Sequence, residues 1–142
     1  MRNLLLTITI LLASGSVLAA NNPLIRACRL ESGQFWILHT TDKDLAMCFF
    51  DEAAIGAEAL FKFKTSEPTQ ALEAYKSRKS SFTKGGVCGA FNAEVITAKD
   101  SEDHHYNVCV FEDQSMIEET SLWFGPGAGG NEGLDKALKK PY

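Results

Sequence analysis

Apolar residues fall in three patterns along this chain: one unbroken run, several short alternating stretches, and several stretches at helical spacing. The unbroken run, Leu4 to Leu12, follows Met1-Arg2 and gives way to small residues at Ala13, Ser14, Gly15 and Ser16 before Ala19-Ala20. A positive start, a short apolar stretch and a small-residue end predict a secretory signal peptide over 1–20, cleaved after Ala19 or Ala20. The run is about half the ~20 residues that cross a bilayer, and no later run is longer, so no membrane-spanning segment is expected after cleavage. No cysteine lies near the cleavage site, which argues against a lipid-anchored lipoprotein.

Beyond residue 20 the pattern shortens. Residues around Cys28 read as a short helix ending at Ser32-Gly33, where glycine can take the left-handed conformation that closes a helix. Phe35 to Thr41, rich in aromatic and β-branched residues, predicts a strand, Asp42-Lys43-Asp44 a turn, and Leu45 to Phe50 a second strand. Ala53 to Phe63 then has helical spacing. From Cys88 the same order returns: a helix ending at Asn92, strands over Glu94 to Ala98 and Tyr106 to Phe111, and a helical stretch from Ser115 to Phe124. In the last strand Val108 and Val110 alternate with Asn107, Cys109 and Phe111, so the cysteine shares a face with the phenylalanine.

The two stretches align residue by residue. Cys48-Phe49-Phe50-Asp51-Glu52 matches Cys109-Val110-Phe111-Glu112-Asp113. With one extra residue in the second copy, Ile55 to Phe61 falls on Ile117 to Trp123. Self-similarity of this kind decides architecture. The expected organisation is a signal over 1–20, one copy over 21–61, a linker with a helix over 62–86, a second copy over 87–124, and a tail over 125–142. In the linker helix Ser66 would cap, Pro68 would sit in the first turn, and Leu72 and Tyr75 would share a face. The tail is expected to be a flexible glycine-rich loop, Gly125 to Gly130, followed by a helix from Leu134 to Lys140. The predicted fold is α+β: two helix–hairpin–helix repeats forming one small disulfide-stapled domain with an antiparallel sheet covered by helices. Phe50, Ile55, Leu60, Phe111, Ile117 and Leu122 recur at equivalent places and are the expected core.

Composition and charge narrow the function. Hydrophobic residues make up 45% of the 142 and charged residues 23%, values of a packed globular chain. The formal charge of −4 argues against a nucleic-acid partner. Charge is also two-sided. Asp100, Glu102, Asp103, Glu112, Asp113, Glu118 and Glu119 lie in a stretch without lysine or arginine, while Lys76, Arg78, Lys79 and Lys84 lie in one without acids. Blocks of one sign steer association with an oppositely charged partner.

Four cysteines, Cys28, Cys48, Cys88 and Cys109, in a chain with an export signal predict disulfides. They lack the close pairs of small zinc sites. Three connectivities exist, and the matching separations of 20 and 21 residues favour Cys28 with Cys48 and Cys88 with Cys109.

Asn22-Pro23 followed by Cys28, Gly33 and a second cysteine twenty residues on resembles a family of small bacterial cell-envelope domains that carries a hemolysin label. The second copy matches the later part of that pattern in Glu112-Asp113-Gln114-Ser115 and Ile117-Glu118-Glu119-Thr120-Ser121-Leu122-Trp123. The second copy lacks the Asn-Pro opening, and the first has Ala53-Ala54 and Gly56-Ala57 where the family places its turn and acidic residues. The resemblance covers roughly 22–61 and 88–124 and implies a disulfide-bearing envelope module in two divergent copies.

Catalytic patterns are few. Gly125-Pro126-Gly127-Ala128-Gly129-Gly130 fits the dinucleotide-binding glycine pattern but lacks the βαβ unit that gives it meaning. His104, His105 and Asp103 sit at the expected tip of the second hairpin, where imidazole and carboxylate together could hold a metal or serve a small hydrolase. His39, on a strand, reads as structural. The favoured expectation is an exported, non-catalytic binding module, periplasmic or secreted, without a cofactor. Its partner would be a protein or envelope component, bound around Glu112, Asp113, Glu118, Glu119 and Trp123. Inhibition of a secreted enzyme, a lysozyme or protease, is the alternative within that class.

Overall fold

The computed structural model describes residues 21–78 and 86–142. The expected signal peptide over 1–20 and the basic residues Lys79 and Lys84 lie outside them. Among the described residues no helix is long and apolar enough to cross a membrane.

Asn22-Pro23 opens the first helix for a plain physical reason. Asn22 accepts hydrogen bonds from the Leu24 and Ile25 amides, and Pro23, which has no amide hydrogen, occupies the first helical position. Helix α1 (Pro23–Leu30) is followed by strands β1 (Gln34–His39), β2 (Asp44–Phe50) and β3 (Ala53–Gly56), helices α2 (Ala57–Lys64) and α3 (Gln70–Ser77), and the short helix α4 (Gly86–Ala90). Strands β4 (Glu94–Lys99), β5 (His105–Val110) and β6 (Met116–Glu118) and helices α5 (Glu119–Phe124) and α6 (Glu132–Ala137) complete the chain.

The strands form a closed antiparallel barrel in the order β1-β2-β3-β6-β5-β4, which overturns the expectation of helix–hairpin–helix repeats on an open sheet. Each half contributes three strands, not two. Ala53–Gly56 and Met116–Glu118, expected to begin helices, are the third strands. The reason is burial on both sides: Ala54 packs inside the barrel while Ala53 and Ile55 pack under the helices. A strand apolar on both faces shows no alternation, and pairing along β2 overrides alanine's helix preference. Closure shortens the exposed strand edges that an open sheet would have left, although β1 and β4 meet at a single pair.

The ladders within each half are long. β1 pairs with β2 from Gln34↔Phe49 to His39↔Asp44, and β4 pairs with β5 from Glu94↔Val110 to Lys99↔His105. The halves meet through one residue pair at each seam, Ile55↔Ile117 and His39↔Lys99. At the first seam the strands approach closely at Gly56, where a Cβ would lie a tight 3.2 Å from Met116 Cβ and from its carbonyl oxygen.

Two apolar layers result. Leu38, Leu45, Met47, Phe49, Ala54, Ala98, Val108 and Val110 fill the barrel. The other layer lies between the barrel wall and the helices and holds both disulfides together with Phe50, Ile55, Leu60, Phe111, Ile117 and Leu122, all buried as the sequence pattern required. The disulfides are Cys28–Cys48 and Cys88–Cys109, each local to its half, and they indicate an oxidising compartment such as the periplasm or the cell exterior.

Local details differ from expectation in three places. Ser32 at φ 65°, not Gly33, takes the left-handed conformation after α1, whereas Asn92 at φ 57° takes it after α4 as the sequence suggests. Helix α3 is not capped by Ser66. Asp113 and Ser115, from the β5–β6 turn, accept its Gln70 and Ala71 amides at 2.8 and 2.9 Å. The glycine-rich tail is tied down: Asn131 donates to the carbonyls of Ser121 and Gly125, and Asp135 accepts from the Tyr75 hydroxyl and the Gly127 amide.

Candidate functional site

Of the residues of the expected acidic contact surface, Glu118 and Asp113 are engaged within the fold. Glu118 is 6% exposed and spends its carboxylate on helix α5, accepting from the Thr120 and Ser121 amides and the Ser121 hydroxyl. Ser121 Oγ in turn accepts the Ala54 amide, so the group ties β3 to α5. Asp113 is engaged by α3. Partial burial pushes its carboxyl pKa up, but hydrogen bonds from Ser115 and the Gln70 amide outweigh that and hold it below the ordinary value. Glu112 and Trp123 are exposed, Trp123 at 42%, and Glu119 is half-buried.

The imidazole cluster is likewise divided. His104 Nδ1 lies 3.0 Å from Asp100 Oδ2, Asp103 is paired with Lys99 at 2.8 Å, and His105 lies in a separate cleft with His39, Thr41 and Lys99. His39 is paired with Asp44 at 2.7 Å. Among the described residues no group of three or more histidine, cysteine, aspartate or glutamate side chains is placed to hold a metal ion.

The structure brings forward a site that sequence reasoning did not single out. Since β1 and β4 pair only at His39↔Lys99, the first part of β1 runs past the β4–β5 turn without joining it. The gap is a cleft of about 270 Å³ lined by Phe35, Trp36, Ile37, Asp100, Ser101 and Glu102. Trp36 and Ile37 are 39% and 38% exposed.

The walls of this cleft are linked through the barrel. Trp36 lies on Phe49 with ring centroids 4.7 Å apart, and Phe49 meets the edge of Tyr106 at 5.3 Å. The Tyr106 hydroxyl donates to Asp100, whose carboxylate also accepts the Glu102 and His104 amides. Burial pushes the Asp100 pKa up, yet these hydrogen bonds and that from the His104 ring outweigh it, so Asp100 is held ionised below its ordinary value. Asp100 therefore shapes the turn, while Glu102 projects its carboxylate into solvent with 79% of the side chain exposed.

The signal for this site in the sequence is the run Phe35-Trp36-Ile37-Leu38, four consecutive apolar residues in a strand. Such a run cannot place every member in one core. Its excess appears at the surface as Trp36 and Ile37.

Comparison of the chain with models of known protein families, with curated proteins and with solved structures finds no match.

Proposed function

We propose that this protein is an exported, non-catalytic binding module, stapled by two disulfides, whose contact surface is the Trp36 cleft. The observation that carries the proposal is Trp36 itself. A large aromatic side chain is left substantially exposed at a gap between strands and rests on the Phe49 ring, which the edge of Tyr106 braces in turn. Aromatic residues of this kind, presented rigidly beside polar groups, contribute much of the energy in protein interfaces. Export is supported by the signal pattern over 1–20 and by the disulfides. The resemblance to hemolysin-labelled envelope domains fits the same reading, and the Asn22-Pro23 opening has a clear structural use in α1.

The test is site-directed photo-crosslinking in the cells that export the protein. With p-benzoylphenylalanine replacing Ile37, a discrete adduct is expected, and with the same group replacing the exposed Lys139, none. No adduct from position 37, or the same adduct from both positions, would refute the assignment of this surface.

A further inference from the structure

We infer that the Trp36 cleft takes an arginine side chain presented by a basic protein partner. The inference rests on the binding-module reading and names what that surface recognises. The cleft pairs an open aromatic face with negative charge. Trp36 and Ile37 form one wall, Asp100 and Glu102 lie on the other, and no lining residue is cationic.

The nearby lysine and imidazole are already engaged. Lys99 is held by Asp103 at 2.8 Å and lies on the far side of the His39↔Lys99 pair, where it lines the other cleft. His104 Nδ1 is engaged by Asp100 at 3.0 Å and is 3.9 Å from Glu102 Oε2. The Glu102 carboxylate accepts no hydrogen bond from a side chain or backbone group among the described residues, so it is available to an incoming donor.

Arginine fits this combination better than lysine does. Its planar guanidinium can stack on the Trp36 face while its fork of N–H groups donates to the Glu102 carboxylate, whereas an ammonium is a strongly hydrated point charge. Asp100, saturated by its own turn, contributes field without competing for the ligand's donors. The −4 charge of the chain adds attraction at long range.

The experiment uses the oxidised protein and acetyl-(Arg-Ala)3-amide as the probe, followed by amide and indole NMR shifts at low salt. Binding should move the Trp36 indole and the Ser101 and Glu102 amides, and should weaken as salt is raised because the pair is exposed. Glu102→Gln should lower affinity by about 1.5-fold to fivefold, the range of an exposed ion pair, and Trp36→Ala should lower it by at least as much. The lysine analogue should bind at least about threefold more weakly.

Three results would overturn the inference: no shift with the arginine peptide, shifts centred on Glu112 and Trp123, or equal binding by the isosteric peptide with citrulline in place of arginine. The last would show an apolar groove indifferent to charge. Any of these together with a specific adduct from position 37 would leave the binding-module reading standing while removing the arginine.

Discussion

Replacing Gly33 with alanine tests how the first disulfide is seated. A Cβ at Gly33 would overlap Cys48 Sγ and would fall 3.0 Å from Cys28 Sγ and 2.9 Å from Phe50 Cε1, where ordinary contact begins at 3.4 Å. None of these atoms is the free end of a flexible chain, since both sulfurs are bonded to each other and Phe50 is buried. The overlap therefore has two outlets. The core can shift around the intact disulfide, at a cost of about 1–3 kcal/mol for overpacking. Otherwise the disulfide fails to form and about 3 kcal/mol of loop-closure stabilisation is lost over its 20-residue span. The cheaper outlet wins, so Gly33→Ala should lose between about 1 and about 3 kcal/mol, several degrees in Tm for a domain of this size. Urea unfolding combined with a free-thiol count would separate the outlets. Ala93 occupies the corresponding place beside Cys88–Cys109 and already carries a Cβ, so Ala93→Gly serves as the control and should leave both disulfides formed. A Gly33→Ala protein within about 0.5 kcal/mol of wild type, with no free thiol, would refute this account of the contact.

Ser32→Gly should raise stability by about 0.5–1 kcal/mol in thermal unfolding, because Ser32 holds φ 65° at a conformational cost that glycine does not bear. Leu122→Ala, at a fully buried position, should cost about 2–5 kcal/mol in urea unfolding, and a cost below about 0.5 kcal/mol would remove Leu122 from the core. Asp113→Asn should cost about 1 kcal/mol at neutral pH, because a neutral amide gives up the charge-assisted hydrogen bonds with which Asp113 caps α3 from another element. The Asp113 pKa is lower in the folded protein than the unperturbed 3.8, so its contribution is fully present above that value and is lost as pH falls through the folded pKa. Denaturation curves of the two proteins should therefore differ at pH 7 and converge well below pH 3.8. A gap that persists in acid would mean that the carboxylate charge is not what matters.

What the sequence determined by itself is local. The matching separations of Cys28 from Cys48 and of Cys88 from Cys109 pointed to the observed pairs, because short loops of equal length close with equal geometry. Alternation in β5 placed Cys109 and Phe111 on one face and Val108 and Val110 on the other, which the two apolar layers reproduce. Tertiary structure decided whatever depended on partners distant in sequence. Ala53–Gly56 became a strand because β2 and β6 lay on either side to pair with it, and nothing in an alanine-rich segment records that. Barrel closure turned on two single-pair seams, which no periodicity shows. The candidate site went the same way. Glu118 and Asp113 read as surface charge, and their uses as helix caps depend on where β6 and α3 settle. In the sequence Trp36 is only one apolar residue of a predicted strand, and it is exposed because β1 and β4 separate beside it. Short-range spacing fixes which neighbours can meet, whereas exposure is set by the whole surface that packs around a residue, and that surface exists only once the barrel has closed.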